Sequence, residues 1–320
     1  MGSGLMGDAL SSEPRAHLFD LQQVVHELAD VRQRWRIAQK RSREPGGREL
    51  PSRDALNDIL NGLRGALFPM RLGPPDLRQE SEDFYIGHTL DAALHALLGQ
   101  VRLELRHQQR HLVGGGIDEA ATEQQARERV RDFAHALPKI RELLDSDVVA
   151  AFEGDPAARS VDEVLLCYPG IQAMIHHRVA HRFYQLGVPL LARIVAELAH
   201  SATGIDIHPG ASIGAGFFID HGTGVVIGET AIIGQRVRVY QAVTLGAKRF
   251  PTDDNGHLSK GLARHPVVED DVVIYAGATV LGRVTIGRGA TIGGNLWVTH
   301  DVAAGANLSQ ARSREVTASP

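Results

Sequence analysis

From residue 207 onward, aliphatic residues return at every sixth position, and few folds accept that period. Ile207, Ile213, Ile219, Val225, Ala231, Val237 and Val243 form one series, and Val268, Ile274, Val280, Ile286, Ile292 and Val298 form a second. Twelve of these thirteen positions hold Ile or Val, so the period is not a by-product of a generally apolar chain. The second run has a companion series at Val272, Ala278, Val284, Ala290, Leu296 and Val302, and glycine follows the aliphatic residue in Ile213-Gly214, Ile286-Gly287 and Ile292-Gly293. A helix repeats every 3.6 residues and an amphipathic strand every two, so neither explains a step of six. A very short strand, a tight corner and another short strand does: β-branched residues point inward and glycine permits the corner. Three such faces close one triangular coil of about 18 residues, and thirteen repeats make a little over four coils.

An excursion, Gly246 to Pro266, interrupts the series, with 25 residues from Val243 to Val268. It is polar and carries Pro, Gly, Asp and Asn, so it projects from the coil as a long loop of the kind that commonly carries function. Upstream of residue 203 the pattern is helical. Leu90, Leu94, Leu97, Leu98 and Val101 form one stripe, and Ile171, Ile175, Val179 and Phe183 form another, with Ser160 and Asp162 as start signals for the second helix. Breaks fall at Glu44-Pro45-Gly46-Gly47 and Gly114-Gly115-Gly116. The expected organisation is a flexible segment over 1–13, a helical assembly domain over 14–203, a coil over 204–305 with its loop at 246–266, and a tail over 306–320.

The formal charge of -4 on 320 residues gives no electrostatic reason to expect nucleic acid or an anionic membrane as a partner. No apolar run approaches the roughly 20 residues that span a bilayer. The start, MGSGLMGDALSSEP, lacks the layout of a signal peptide, so a cytoplasmic protein is expected. With Cys167 as the single cysteine, an intramolecular disulfide is excluded and a thiolate zinc site is disfavoured.

Within this frame, GIDIHPGASIGAGFFIDHGTGVVIGET (Gly204–Thr230), VTLGA (Val243–Ala247) and RHP (Arg264–Pro266) resemble the signature of serine O-acetyltransferases. The hexapeptide period alone points only to the wider acyltransferase superfamily, and the three motifs in this order narrow it. The resemblance covers about residues 150–310 and is loose before residue 140. The long helical region and long loop resemble an extended subtype. It implies an α+β chain: an all-helical N-terminal domain followed by a left-handed parallel β-helix of hexapeptide repeats. It also implies transfer of the acetyl group of acetyl-CoA to the hydroxyl of L-serine, the first step of cysteine biosynthesis, with no metal or prosthetic group.

The resemblance then assigns roles. A serine hydroxyl needs a positioned base at neutral pH, and histidine suits that task. His221 matches the family's general base and Asp206 the carboxylate that fixes its tautomer. By six-residue counting the two fall on the same face of successive coils, three positions out of register. Read from the residues alone, His221 is a turn histidine. Arg264 and His265 match the pair that binds the substrate carboxylate, Asp155 and Asp220 the acids on the ammonium side, and Glu229 a supporting acid. Gly246, Ala247, Ala276 and Gly277 match positions along coenzyme A, and Gly293 and Gly294 extend that wall. From the residues alone, these glycines are equally corner glycines of the coil. Inhibition by L-cysteine and assembly as a trimer, or as two paired trimers, are further implications. Relatives that dock into cysteine synthase end in isoleucine, whereas this chain ends Ala318-Ser319-Pro320, so that complex is not expected.

Other readings stay open from sequence. A different hexapeptide acyltransferase would keep His221 without needing Asp155 and Arg264 as a pair. A γ-carbonic anhydrase-like protein would use three histidines, for which His208, His221 and His265 are available. A scaffold without activity would keep only the fold. His176, His177 and His181 are read as helix packing or a solvated face, and the basic stretch Arg102, Arg106, His107, Arg110 and His111, with Glu104 among it, as a solvated helix face.

Overall fold

The computed structural model describes residues 19–39, 49–110, 118–249 and 261–309. The expected flexible segment 1–13, both glycine breaks apart from their edges, the centre of the loop at 250–260 and the terminal residues from 310 to Pro320 lie outside the described residues. The chain divides into two units, residues 1–49 and 50–320. The first holds one long helix, α1 (Leu21–Ala38).

In the second unit, α2 (Arg53–Leu67), α3 (Pro69–Leu72), α4 (Glu82–Gln108), α5 (Glu119–Gly154), α6 (Val161–Cys167), α7 (Pro169–Gln185) and α8 (Pro189–Thr203) precede the strands. Ser52, Asp118 and Ser160 cap α2, α5 and α6, each side-chain oxygen accepting from the N–H three residues on. The helix expected after Ser160 is broken in two at Tyr168. Pro169 has no N–H to donate and holds Tyr168 in an extended conformation, so α6 ends and α7 begins there.

The strands are β1 (Asp206–Ile207), β2 (Ser212–Ile213), β3 (Phe218–Ile219), β4 (Val226–Ile227), β5 (Ile232–Ile233), β6 (Arg238–Val239), β7 (Thr244–Gly246), β8 (Val267–Val268), β9 (Val273–Ile274), β10 (Thr279–Leu281), β11 (Thr285–Ile286), β12 (Thr291–Ile292), β13 (Trp297–Val298) and β14 (Asn307–Leu308). They stack into three parallel sheets, face A (β1-β4-β7-β10-β13), face B (β2-β5-β8-β11) and face C (β3-β6-β9-β12-β14), which form a left-handed β-helix. β14 lies in the segment read from sequence as a tail, and pairs with β12. Two residues per repeat point inward, the second of the strand and the residue immediately before the strand, so the prism is filled by two interleaved series such as Ile227 with Val225 and Ile233 with Ala231.

The corner after β3 departs from the period. β1, β2 and β3 start six residues apart, but β4 starts at Val226, eight after Phe218, and Asp206 pairs with Val226, a coil of 20 residues. The sequence period hides this, because the step from Ile219 to Val225 passes from one inward series to the other while still counting six. The two extra residues swell the corner that carries His221.

The first coil is the open end of the prism, and its outer backbone groups have no further coil to bond. Helices α5 and α7 meet them. Asp147 and Arg178 form a bidentate ion pair with 0% and 5% side-chain exposure. Asp147 Oδ1 also accepts from the N–H of Phe217 at 2.9 Å, and Arg178 donates to the carbonyls of Ile213 and, at 2.7 Å, Gly214. Ser146 Oγ accepts from the N–H of Gly216 at 3.0 Å, and His181 Nδ1 lies 2.8 Å from the Pro209 carbonyl. Burial pushes the Asp147 carboxyl above the usual carboxylate range, opposed by the Arg178 guanidinium and the Phe217 N–H. Gly170 in α7 lies so close to β3 that a Cβ would sit 2.3 Å from the Ile219 carbonyl oxygen, which fixes where the helix crosses the coil.

Glu104 corrects the reading of the basic stretch as a solvated face. It is 1% exposed, and its two oxygens accept from the N–H groups of Leu190 and Leu191 at 2.8 Å, capping α8, which starts at Pro189. Arg102 and Arg106 pair with Glu123 and Glu119 of α5 instead of facing water alone. His176 and His177 are buried in α7, in keeping with packing.

Asp147→Ala leaves a buried guanidinium and a buried N–H without their partner, a class of loss worth about 3–5 kcal/mol. Calorimetric unfolding of the variant is expected to show a drop of that size, and a loss under about 1 kcal/mol would mean that the clamp does not hold the cap.

Candidate active site

Two groups of polar residues flank face A, one on each edge. The first occupies the swollen corner between faces C and A. His221 has φ 57°, a left-handed conformation tolerated by few residues other than glycine, and Gly222 beside it has φ 91°. The next corner position, Gly224, belongs to the regular ladder, its N–H donating to Gly204 O as Ala242 N–H does to Thr223 O one coil on. His221 stands outside that ladder with its side chain 72% exposed, and its Nδ1 is 3.7 Å from Asp220 Oδ1. Asp155, just past α5, lies near enough for His221 to act on its charge. Tyr168 donates to Asp155 Oδ2 at 2.5 Å and the Ala157 N–H to Oδ1 at 2.8 Å. These two bonds hold the Asp155 carboxyl below its ordinary value, and the same bond raises the Tyr168 phenol to about 12.

The second group occupies the corner between faces A and B. Arg264 Nη2 donates to Glu229 Oε2 at 2.6 Å, and Tyr184 at the end of α7 donates to Glu229 Oε1 at 3.0 Å. Burial works against the Glu229 anion, yet Arg264 and Tyr184 hold its pKa below the usual range. Thr230 ties the returning loop to the coil: its Oγ1 accepts from the N–H of Arg264 at 2.9 Å and of His265 at 3.1 Å. The Thr230 N–H donates to His265 Nδ1 at 3.0 Å, which leaves Nε2 to carry the proton of the neutral ring. Arg283 donates to the carbonyls of Thr230 and His265. The His265 ring lies against Gly228, where a Cβ would come within 2.1 Å of Nε2, so only glycine fits beneath it. Burial and then Arg264 lower the His265 pKa. His208, edge-on to Tyr184, accepts the Gly210 N–H on Nδ1 at 3.0 Å, and burial with the nearby Arg193 lowers it to about 4.

The resemblance read from the motifs is matched by whole-chain comparison. Residues 265–300 fit the bacterial transferase hexapeptide family (six repeats). A serine acetyltransferase of Synechococcus elongatus, described as plasmid, is 62% identical over 267 residues, 83% of each chain. The chain belongs to the serine acetyltransferase family. Serine acetyltransferase 1 of Entamoeba histolytica, solved in complex with L-cysteine, superposes with a TM-score of 0.67 at 38% identity, over 79% of this chain and 86% of that one. The serine acetyltransferase of Neisseria gonorrhoeae, solved in complex with serine, gives 0.51 at 28% identity, over 78% of this chain and 94% of that one. As a serine O-acetyltransferase the chain is a transferase, and among the described residues no helix is long and apolar enough to cross a membrane.

The residues singled out from the motifs thus fall into two sets in this chain: Asp155, Asp220 and His221 on one edge, and Glu229, Arg264 and His265 on the other. Asp206 is bonded into neither group, although its backbone pairs with Val226, just past the corner that carries His221. It lies on β1, and its carboxylate comes within 4.8 Å of groups on His200 and Glu197, while no hydrogen bond or ion pair among the described residues links it to His221. The enlarged corner lengthens the count between the two coils: Asp206 pairs with Val226, 20 residues on, and His221 lies in the corner just before Val226. Gly246 and Ala247 sit at the A–B side at the end of β7, and Ala276 and Gly277 at the C–A corner, where Gly277 has φ 71°. Gly277 therefore has a backbone reason to be glycine whatever lies beside it. Tyr168, Tyr184, Thr230 and Arg283 were not singled out in the sequence; each acts by bonding a motif residue that is distant along the chain.

Because the folded His208 pKa lies near 4 and an unfolded histidine titrates near 6.5, the unfolded chain takes up the proton first. His208 thus adds stability that is complete above pH 6.5 and is lost as the pH falls toward 4. Ring NMR should place its midpoint near 4, and urea unfolding of His208→Gln should show a shallower decline over that window. A midpoint near 6.5 would contradict the buried, cation-flanked environment.

Proposed function

We propose that the chain transfers acetyl from acetyl-CoA to L-serine with His221 as general base, in a site completed by two neighbouring copies. The observation that carries this is the separation of the two charge sets. Face A is about six residues wide, roughly 20 Å at ~3.3 Å per residue. Serine bears its ammonium and carboxylate on one carbon, so one chain cannot offer both sets to one substrate. Two prisms side by side can, if the C–A edge of one meets the A–B edge of the next. Closed rings are the usual outcome of such a head-to-tail contact, and three copies suit a triangular prism.

In this site Asp155 and Asp220 face the ammonium. The Arg264 fork takes the carboxylate, with Glu229 and Tyr184 holding the guanidinium in place and His265 beside it. His221 then removes the hydroxyl proton as the oxygen attacks the thioester carbonyl carbon. The tetrahedral intermediate collapses by breaking the C–S bond, and the imidazolium returns the proton to the departing CoA sulfur. Asp220 stabilises the imidazolium, with Asp155 adding charge nearby. Asp206 enters on the family resemblance alone, since its carboxylate here faces His200 and Glu197. Gly246 and Ala247 of one copy and Ala276 and Gly277 of its neighbour suit a pantetheine groove between prisms, small residues allowing close approach. L-Cysteine shares both charges of serine, so it fits the same groups and serves as inhibitor, as its complex with the Entamoeba relative suggests. The product, O-acetylserine, feeds cysteine biosynthesis.

CoA thiol release from acetyl-CoA should require L-serine and fall by about 10²-fold or more in His221→Ala, the typical scale of general-base catalysis. Arg264→Ala should raise the serine KM. At a serine concentration where both variants are impaired, co-refolding them should restore part of the activity, because a mixed ring contains some junctions with both wild-type edges. No recovery from properly mixed rings would place the whole site within one chain and overturn the composite arrangement.

A further inference from the structure

We propose that α1 is a self-association helix that bundles in parallel, in register, with the same helix of other copies. None of its residues is buried, and Leu21, Val24, Leu28, Val31 and Trp35 are 44–51% exposed. These five and Ala38 alternate at intervals of three and four along the 18 residues, which is a heptad seam with Leu21, Leu28 and Trp35 at a and Val24, Val31 and Ala38 at d. A helix built only for solvent would not carry this seam.

Charge chooses the occupant. In the same register Glu27 falls at g and Arg32 at e of the next heptad, the two positions that meet across parallel strands of a bundle. An antiparallel pair would instead set Glu27 against Arg34, also at g, so charge favours the helix's own sequence in either direction; copies related by one rotation axis point the same way, which selects the parallel arrangement. Within its own helix Glu27 bonds only the neutral Gln23. Leucine at a with β-branched valine at d disfavours a two-stranded coil and favours three or four strands. Two and a half heptads are marginal on their own. Copies already joined through their prisms supply the high local concentration that closes such a short bundle, and to that extent the proposal rests on the composite site proposed above.

Disulfide trapping in the full-length chain tests this. In a Cys167→Ser background, Val31→Cys at d is expected to form a chain-to-chain disulfide on mild oxidation, and Gln33→Cys on the outer face is not. Adding Glu27→Arg to the Val31→Cys chain should lose the cross-link at low salt, and adding Arg32→Glu as well should restore it. Light scattering on the same samples reports the assembly independently. An assembly of several chains with no Val31→Cys cross-link would overturn the bundle and leave the composite site standing. A single-chain mass would overturn both. Equal cross-linking at 31 and 33, or no restoration by Arg32→Glu, would overturn the in-register parallel pairing.

Discussion

A stack of parallel coils cannot end without exposing a row of unpaired backbone groups, and the buried Asp147–Arg178 pair is what closes this one at its N-terminal end. An ion pair with near-zero exposure is costly unless its remaining bonding capacity is filled. Here the first coil fills it, with the Phe217 N–H for the carboxylate and the Ile213 and Gly214 carbonyls for the guanidinium. Each component satisfies the other: the helices complete the coil, and the coil makes the buried charges tolerable. That mutual dependence sets α5 and α7 across the prism, so the end of α5 delivers Asp155 to one edge and the end of α7 delivers Tyr184 to the other.

The two edges are built differently. At the C–A corner the backbone leaves the regular ladder to display one exposed histidine beside Asp220. At the A–B corner the side chains are locked by bonds to Thr230, Glu229 and Tyr184, and His265 and His208 are kept neutral by burial beside arginines. One edge is a rigid cationic cradle, and the other an exposed imidazole with an acid beside it.

The repeat made the coil legible in the sequence, because the inward positions of so thin a prism admit little besides Ile, Val and Ala. The family motifs likewise marked residues in both polar groups that flank face A. What the period could not reveal was a corner enlarged by two residues, since two inward series alternate and a count of six skips from one to the other at Ile219 and Val225. Glu104 was misread for a different reason: a charged residue among arginines looks solvated, and only the tertiary position of α8 gives its oxygens two N–H groups. Asp147 could have been found. It falls at the three–four spacing of Leu137, Ile140, Leu144 and Ala151, and a lone carboxylate in a buried stripe calls for a buried cation.

Because the cap seals only the first coil, the prism is finished at one end and modular at the other. The His221 and Glu229 corners both belong to the first two coils, directly above the seal. Evolution could therefore add or delete whole turns beyond β10 with little effect on those corners, whereas any change of length before β1 would move the foundation on which both edges stand.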